Sequence, residues 1–171
     1  MCIRDSDYGY VVGYWPSLAK SQSGTKLLAW QDVHGGSLQR DDLVRADLEV
    51  AIKNDGGWSY EAVDFGEGAG VYNRAFFDSE GRPAVLYYIP IEAAQAERVR
   101  LGIWLARKEG DEWVKFQLYA GATQGSPSVV VNSEGIWVAY YDAQVRRPIV
   151  CLLYTSPSPR DQRGSRMPSS A

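Results

Sequence analysis

Short apolar runs alternate with short polar turns along the chain, and the alternation itself recurs. Three stretches each contain an apolar run, a polar triplet, a glycine and a second apolar run that ends in aromatic residues. They cover residues 16–32, 73–89 and 127–142. Their glycines, Gly24, Gly81 and Gly135, are 57 and 54 residues apart. This spacing predicts a repeated unit of about 55 residues, in which the three glycines occupy equivalent turns.

A second pair of stretches lies between the first three and repeats with the same spacing. Residues 47–64 and 101–119 each place an alanine seven positions before a tryptophan. The two tryptophans, Trp58 and Trp113, are 55 residues apart. Two independent alignments therefore indicate one period, as expected of a repeat architecture.

Each unit is predicted to contain four β-strands. The first two flank the glycine, where a tight turn can use a positive φ at no steric cost. The third and fourth flank another turn, which reads NDGG in the first unit and EGDE in the second. The predicted strands cover residues 17–20, 26–31, 47–53 and 58–63, then 74–77, 83–88, 101–107 and 113–118, then 128–131 and 137–141.

Four strands in a repeated unit of about 50 residues are typical of a β-propeller blade. A four-stranded sheet cannot bury both faces alone, so blades stack around an axis and each covers its neighbour. We expect the bulky residues Trp30, Tyr87 and Tyr140 to fill the spaces between blades. A two-sheet sandwich built from hairpins is the alternative, but it gives no reason for the repeat.

The predicted fold class is therefore all-β, a partial β-propeller of about two and a half four-stranded antiparallel blades. The blade units lie at about residues 14–64, 70–119 and 124–150. The partial propeller as a whole is predicted to occupy residues 7–150, and we expect the two flanking segments to have a different origin.

The first six residues, MCIRDS, and the tail from residue 151 can be encoded by one DNA element in opposite orientations. The codons ATG TGT ATA AGA GAC AG spell the start, and their reverse complement contains TGT CTC TTA TAC ACA T, which spells CLLYT at residues 151–155. The element resembles the mosaic end and adapter of a transposon-based sequencing library. A natural disordered tail rich in Ser, Pro and Arg is the alternative, but it leaves the inverted match unexplained.

We therefore expect residues 1–6 and 151–171 to be adapter-derived and to carry no information about the fold. Residues 7–150 are then an internal piece of a longer protein, ending in the third blade after its second strand. Residues 151–171 are expected to be extended or poorly packed.

Composition limits the chemistry of the remaining segment. Both cysteines lie in the two end segments, so no disulfide, thiol nucleophile or thiolate metal site is predicted. The whole chain has a formal net charge of −3, and removing the end segments takes away four basic and two acidic residues and leaves −5. An acidic segment is not suited to a nucleic-acid backbone. No apolar run approaches the ~20 residues that a membrane helix needs.

The repeated pattern reads DSEGRPAVLYYI at residues 78–89 and NSEGIWVAYYD at residues 132–142, and it resembles the repeats of bacterial sialidase-like (BNR-type) propellers. The resemblance covers nearly all of residues 7–150. It implies a propeller of about six or seven blades, of which this segment supplies a part. It also implies a bacterial protein that is secreted, periplasmic or on the cell surface.

A sialidase of that family requires an arginine triad, a tyrosine nucleophile backed by an acid, and an aspartic acid/base. None of these can be assigned here. Tyr88 stands where the arginine of an Arg-Ile-Pro signature would be, and NDGGW at residues 54–58 matches an Asp-box only in part. No catalytic residue is therefore predicted, which favours a segment that is not itself an enzyme.

The predicted loops between strands 2 and 3 cover residues 32–46 and 89–100, and loops of that length are often functional. The first contains the only histidine of the chain among several acids. An Asp–His pair is suited to general-base chemistry, an aspartate cluster is suited to Ca²⁺, and a solvated polar loop has neither role. No metal-ligand spacing is present, so no metal or other cofactor is predicted. The binding candidates are Asp32, His34, Asp41, Asp42, Arg45 and Asp142.

Two further motifs are interpreted structurally. Asp32 and Asp142 occupy the same place in their repeats, and recurrence at a strand end indicates hydrogen bonds to loop N–H groups. GEGAG at residues 66–70 lacks the third glycine of a dinucleotide fingerprint, because Val71 follows, and no helix is signalled after it. We predict a loop there.

The leading functional hypothesis is a propeller segment that acts as an exported ligand-binding or scaffolding module. Its expected partners are carbohydrate or protein and the missing blades of the same chain, with no nucleic acid and no membrane span. A glycoside hydrolase whose active site lies in other blades is one alternative. A purely structural repeat of a larger surface protein is the other.

Overall fold

The computed structural model describes residues 11–33, 45–66, 68–90 and 100–153, which form eleven β-strands. They are β1 Val11–Lys20, β2 Lys26–Val33, β3 Asp47–Asn54, β4 Gly57–Asp64, β5 Val71–Phe77, β6 Pro83–Ile89, β7 Gly102–Glu109, β8 Glu112–Tyr119, β9 Ser128–Asn132, β10 Gly135–Asp142 and β11 Arg147–Leu153. These residues contain no helix, and so none that is long and apolar enough to cross a membrane.

The strands form three antiparallel sheets in which sequence neighbours pair. The first sheet has the order β1-β2-β3-β4, the second has β5-β6-β7-β8, and the third has β9-β10-β11. All ten predicted strands are present. The eleventh, β11, was not predicted: it contains Pro148, which is tolerated because β11 is the edge strand of its sheet.

The second sheet is covered on both faces, and β6 shows this most clearly. Val85, Tyr87 and Ile89 belong to the apolar core against the first sheet. Leu86 and Tyr88, which alternate with them, belong to a separate core against the third sheet. Burial on both faces explains why this strand is a continuous apolar run.

Successive sheets are arranged around their first strands. β1 lies beside β5, and β5 lies beside β9. The Ser17 hydroxyl donates to Asn73 Oδ1 at 2.5 Å and accepts from the Ala75 N–H at 2.9 Å, which joins β1 to β5. Three stacked sheets with a core in each of the two spaces between them form a partial β-propeller, as predicted. A sandwich would have two sheets and one core, so this alternative is excluded.

Two of the three aligned glycines occupy matching turns. Gly24 donates its N–H to Ser21 O at 3.1 Å, and Gly81 donates to Asp78 O at 2.9 Å. In both turns a second backbone bond closes a five-residue connection. Both glycines have positive φ, 94° and 77°, so this conformation favours glycine.

The third turn is different, so the expectation of three equivalent turns is wrong for Gly135. Gly135 pairs directly with Asn132 across a two-residue hairpin. Its backbone also lies against β11, and a Cβ there would meet Leu153 O at 2.3 Å. The glycine is therefore required by close packing of the neighbouring strand rather than by a wider turn.

The bulky residues predicted between blades lie in three different settings. Tyr87 is fully buried between the first and second sheets, and Tyr140 packs at the core of the second and third. Trp30 is 7% exposed and packs against Tyr60 on the face of the first sheet that points away from the second sheet.

Residues 151–153 continue β11 as an extended strand, while 1–6 and 154–171 lie outside the described residues. The adapter origin of the ends stays a prediction.

Candidate functional site

The connections between strands 2 and 3 and between successive sheets leave from one end of the stack, because all pairings are antiparallel. We call this the loop end. It is marked by the strand-terminal residues Val33, Asp64, Ile89, Tyr119 and Asp142. The loops that the sequence predicts to contact a ligand leave from this end.

The predicted site residues are divided between two sheets. Asp32 is 2% exposed near the end of β2, opposite Asp47 of β3. Arg45 is exposed in the turn before β3. Asp142 ends β10 in the third sheet and is thus separated from both by the second sheet. His34, Asp41 and Asp42 lie outside the described residues, and ligand binding by this set stays a prediction.

Asp142 has the structural role expected from its position. Its Oδ1 accepts the backbone N–H of Gln144 at 2.8 Å and that of Val145 at 3.1 Å. These bonds order the turn between β10 and β11, as an aspartate at a strand end commonly does.

A polar cluster at the loop end was missed by the sequence reasoning. It consists of Asp64, Tyr87, Arg100 and Lys115, and we call it the Asp64 cluster. Asp64 Oδ2 accepts the Tyr87 hydroxyl at 2.6 Å and forms an ion pair with Arg100. Asp64 Oδ1 accepts Lys115 Nζ at 2.8 Å and the Phe65 N–H at 3.1 Å. The cluster thus joins β4 of the first sheet to β6 and β8 of the second.

Arg100 is held from a second side by Trp104. The Trp104 indole N–H donates to Arg100 O at 2.8 Å, and the guanidinium lies 5.2 Å from the centre of the indole ring. A cation over an aromatic face is attracted to the ring quadrupole. The arginine is therefore fixed in its orientation toward Asp64.

The environment of Tyr87 does not suit nucleophilic chemistry. Burial, followed by the negative charge and hydrogen bond of Asp64, raises the pKa of Tyr87 well above its usual value. The side chain is fully buried, and a nucleophile must be both reachable and readily deprotonated. Tyr87 acts as a neutral hydrogen-bond donor at physiological pH.

The Asp64 carboxylate is equally unsuited to act as a base. Its side chain is 1% exposed, and its two oxygens accept from Phe65, Tyr87, Arg100 and Lys115. Four donors match the roughly four lone-pair sites of a carboxylate. The arrangement holds two sheets together and leaves no acceptor position for a substrate proton.

A second polar bridge lies farther along the same interface. Glu61 of β4 forms an ion pair with Lys108 and accepts the Trp113 indole N–H at 2.8 Å. Lys108 also lies 5.6 Å from the centre of the Trp113 ring. Together with the Asp64 cluster, this bridge fixes the outer strands of the first sheet against the second.

The described residues of the GEGAG segment, 66 and 68–70, lie in a loop, as predicted, and the segment is followed directly by β5. Gln31 Nε2 donates to Gly68 O and Ala69 O, each at 3.1 Å. The Gly66 N–H donates to Asp47 Oδ1, and Asn73 Nδ2 donates to Gly70 O at 3.0 Å. These bonds fix the described residues of the connection between the first and second sheets. Across residues 11–33, 45–66, 68–90 and 100–153, no group of three or more His, Cys, Asp and Glu side chains is placed to hold a metal ion.

Removing the hydroxyl of Tyr87 tests the Asp64 cluster with the smallest change. Tyr87→Phe should lower the free energy of unfolding by about 1.5–3 kcal/mol, because one buried hydrogen bond to a charged group is lost. Urea denaturation followed by tryptophan fluorescence measures this. Tyr60→Phe is the matched control, since Tyr60 is 59% exposed, and should change stability by less than about 0.5 kcal/mol. Equal effects of the two variants would contradict the assigned role.

Comparison with known proteins identifies the fold of the chain but does not assign it to a family. No family model and no curated protein matches the chain. Among solved structures, the Hadza microbial sialidase Hz136 aligns with a TM-score of 0.54 and 14% identity over 83% of this chain and 35% of that one. The chain thus spans about a third of the length of that sialidase. It has a sialidase-like, propeller-like all-β fold.

Proposed function

We propose that the chain is part of a sialidase-like β-propeller that serves as a ligand-binding or scaffolding module, exported from a bacterial cell. The observation that supports this proposal is that all acceptor positions of the Asp64 carboxylate are occupied. The Asp64 cluster has a buried tyrosine and a carboxylate that accepts from four donors. Such a cluster stabilises the contact between sheets, and it leaves the loops as the source of ligand contacts.

The loop end provides a fixed base for those loops. The connections after β2 and β6 start from buried strand ends, Val33 and Ile89. The candidate ligands are carbohydrate or protein, and Arg45 and the neighbouring loop residues are the proposed contacts, because Asp32 is buried. Among the candidates that the structure describes, Arg45 is the test position, because it is exposed and charged.

A glycan array probed with the full 171-residue chain tests the carbohydrate form of this proposal. We expect a defined set of glycans to bind, and Arg45→Ala to weaken binding about tenfold through loss of a charged hydrogen bond. Lys20→Ala is the control, because Lys20 is exposed at the opposite end of β1. Binding to no glycan, or equal losses in both variants, would contradict carbohydrate recognition at the loop end.

A glycoside hydrolase is the second candidate, and the likeness to a protein named a sialidase favours it. In that case the catalytic residues lie outside this chain. Release of a fluorogenic aglycone from a sialoside, assayed with the protein extended by its flanking coding sequence, separates the candidates. The binding proposal predicts no release above the uncatalysed rate. A protein with neither binding nor hydrolysis would instead be a structural repeat of a larger surface protein.

A further inference from the structure

Two aromatic residues in the first strands of the first two sheets have a left-handed backbone conformation. Trp15 of β1 has a φ of 53°, and Tyr72 of β5 has a φ of 52°. They are 57 residues apart, the same spacing as Gly24 and Gly81, so they occupy one place in two successive repeats. A bulky residue with a positive φ is a rare outlier. Such strain is concentrated at functional sites, and its recurrence makes this place a candidate for one.

The surrounding structure holds both residues in this conformation. The pairing of β1 with β2 shifts register at Trp15, and the pairing of β5 with β6 shifts register at Tyr72. Asn73 is fully buried beside the second of these irregularities. Its Nδ2 donates to Gly70 O at 3.0 Å, and its Oδ1 accepts the Ser17 hydroxyl at 2.5 Å. These bonds fix β5 to β1, so the two aromatic side chains are held in place before any ligand arrives.

The two rings are in direct contact, and we call Trp15 and Tyr72 the aromatic pair. Their centres are 4.6 Å apart, and their planes are inclined at 67°. Tyr72 also lies nearly parallel to Tyr88, with the ring centres 6.4 Å apart. Trp15 is 44% exposed, more than any other tryptophan of the described residues. The aromatic pair lies near the loop end, because β1 and β5 both begin there.

Tyr72 shows how a neighbouring sheet affects this place in the repeat. The second sheet has the first sheet on one side and the third sheet on the other. Tyr72 is nevertheless only partly buried. A further sheet of a longer chain, packed on the outer face of the first sheet, should therefore leave Trp15 partly exposed as well.

An exposed arginine supplies polar contacts beside the aromatic pair. Arg74 follows Tyr72 by two positions in β5. Its Nη2 donates to Ser126 Oγ at 2.5 Å, and its Nη1 donates to Asn73 O at 3.1 Å. A guanidinium has five N–H donors, so in the part of the chain that the structure describes Arg74 keeps donors for a ligand.

We propose that the aromatic pair is a stacking platform for one sugar ring of a carbohydrate ligand; this inference rests on the proposed binding function. The face of an aromatic ring is negative and attracts the C–H bonds on the flat side of a pyranose, while Arg74 donates to its hydroxyl groups. Two aromatic side chains bury at most about 500 Å² together. Each partner of a standard protein interface buries about 800 Å², so the aromatic pair fits a sugar better than a protein surface.

A glycan array probed with the full chain, followed by calorimetric titration of the best-bound oligosaccharide, tests the proposal. Trp15→Gly should raise the dissociation constant about 30-fold, as for an aromatic hot-spot residue. Glycine adopts a positive φ at no steric cost, so this variant removes the ring and relieves the strain. Trp15→Phe keeps a ring face and should raise the dissociation constant less than about fivefold.

Trp58→Ala is the matched control, because Trp58 lies beside the β3–β4 turn at the other end of the first sheet. It should leave the dissociation constant unchanged, and urea denaturation of each variant checks that the fold is retained. Equal losses in Trp15→Gly and Trp58→Ala, or in Trp15→Gly and Trp15→Phe, would overturn the stacking role.

Two results separate this inference from the proposed function. If Trp15→Gly binds as tightly as the unaltered chain while Arg45→Ala binds more weakly, the aromatic pair is not the platform but the loop end still binds the ligand. If the unaltered chain binds no glycan, the platform is overturned, and a protein ligand or a scaffolding role remains for the proposed function.

Discussion

Asp64→Ala should lower the free energy of unfolding by about 3 kcal/mol, the lower end of the range for breaking a buried ion pair. The variant leaves the Tyr87 hydroxyl buried without its acceptor and leaves two cations without their carboxylate. The lower end applies because Arg100 and Lys115 are 21% and 36% exposed and can turn toward water. Urea denaturation measures the change.

Asp111→Ala is the matched control for this variant, since Asp111 is exposed in the turn between β7 and β8. It should change stability by less than about 0.5 kcal/mol. Combining Asp64→Ala with Tyr87→Phe should cost clearly less than the sum of the single variants, because the two residues share one hydrogen bond. Strict additivity would show that the hydroxyl and the carboxylate do not stabilise each other.

Gly102→Ala should have the largest effect of any single substitution discussed, at least about 4 kcal/mol or complete loss of the fold. Gly102 begins β7 with a φ of 140°, and a Cβ there would lie 1.8 Å from Tyr119 O. The obstructing atom belongs to the backbone of β8, so a side-chain rotation cannot relieve the clash. Circular dichroism and urea denaturation of the purified variant measure the loss.

Gly110→Ala separates this clash from the general cost of replacing a glycine. Gly110 also has a positive φ, 63°, but a Cβ there meets nothing within 4 Å. It should cost only about 1–2 kcal/mol, the strain of a left-handed residue with a side chain. If Gly102→Ala and Gly110→Ala were equally mild, the close approach of β7 and β8 would not be a constraint on the fold.

Much of the fold was predictable because strand pairing here is local in sequence. Apolar runs and turn glycines give the ten strands, and every sheet pairs strands that follow one another. The third strand of the third sheet was missed because its segment contains a proline and crosses the expected adapter boundary. The turn at Gly135 differs because β11 lies close to the backbone of this glycine, and a turn motif in the sequence does not predict such a contact.

The candidate site was less predictable, because its contacts connect distant positions. Tyr87, Arg100 and Lys115 are 23, 36 and 51 residues from Asp64, and no local spacing links them. The sequence contains only a weak indication of the cluster. An acid ends β4, and the lysine of β8 pairs across the sheet with an apolar residue of β7. The loop candidates His34, Asp41 and Asp42 come from composition alone, and the structure describes none of them.

The order of the strands also has a consequence for how the chain is made. The first sheet is complete once Asp64 has left the ribosome, since its four strands are consecutive. Arg100 and Lys115, which neutralise Asp64, are synthesised later. Until they emerge, the nascent sheet keeps this carboxylate in water, because burying it alone is unfavourable. Docking of the second sheet during translation is therefore coupled to the arrival of two positive charges.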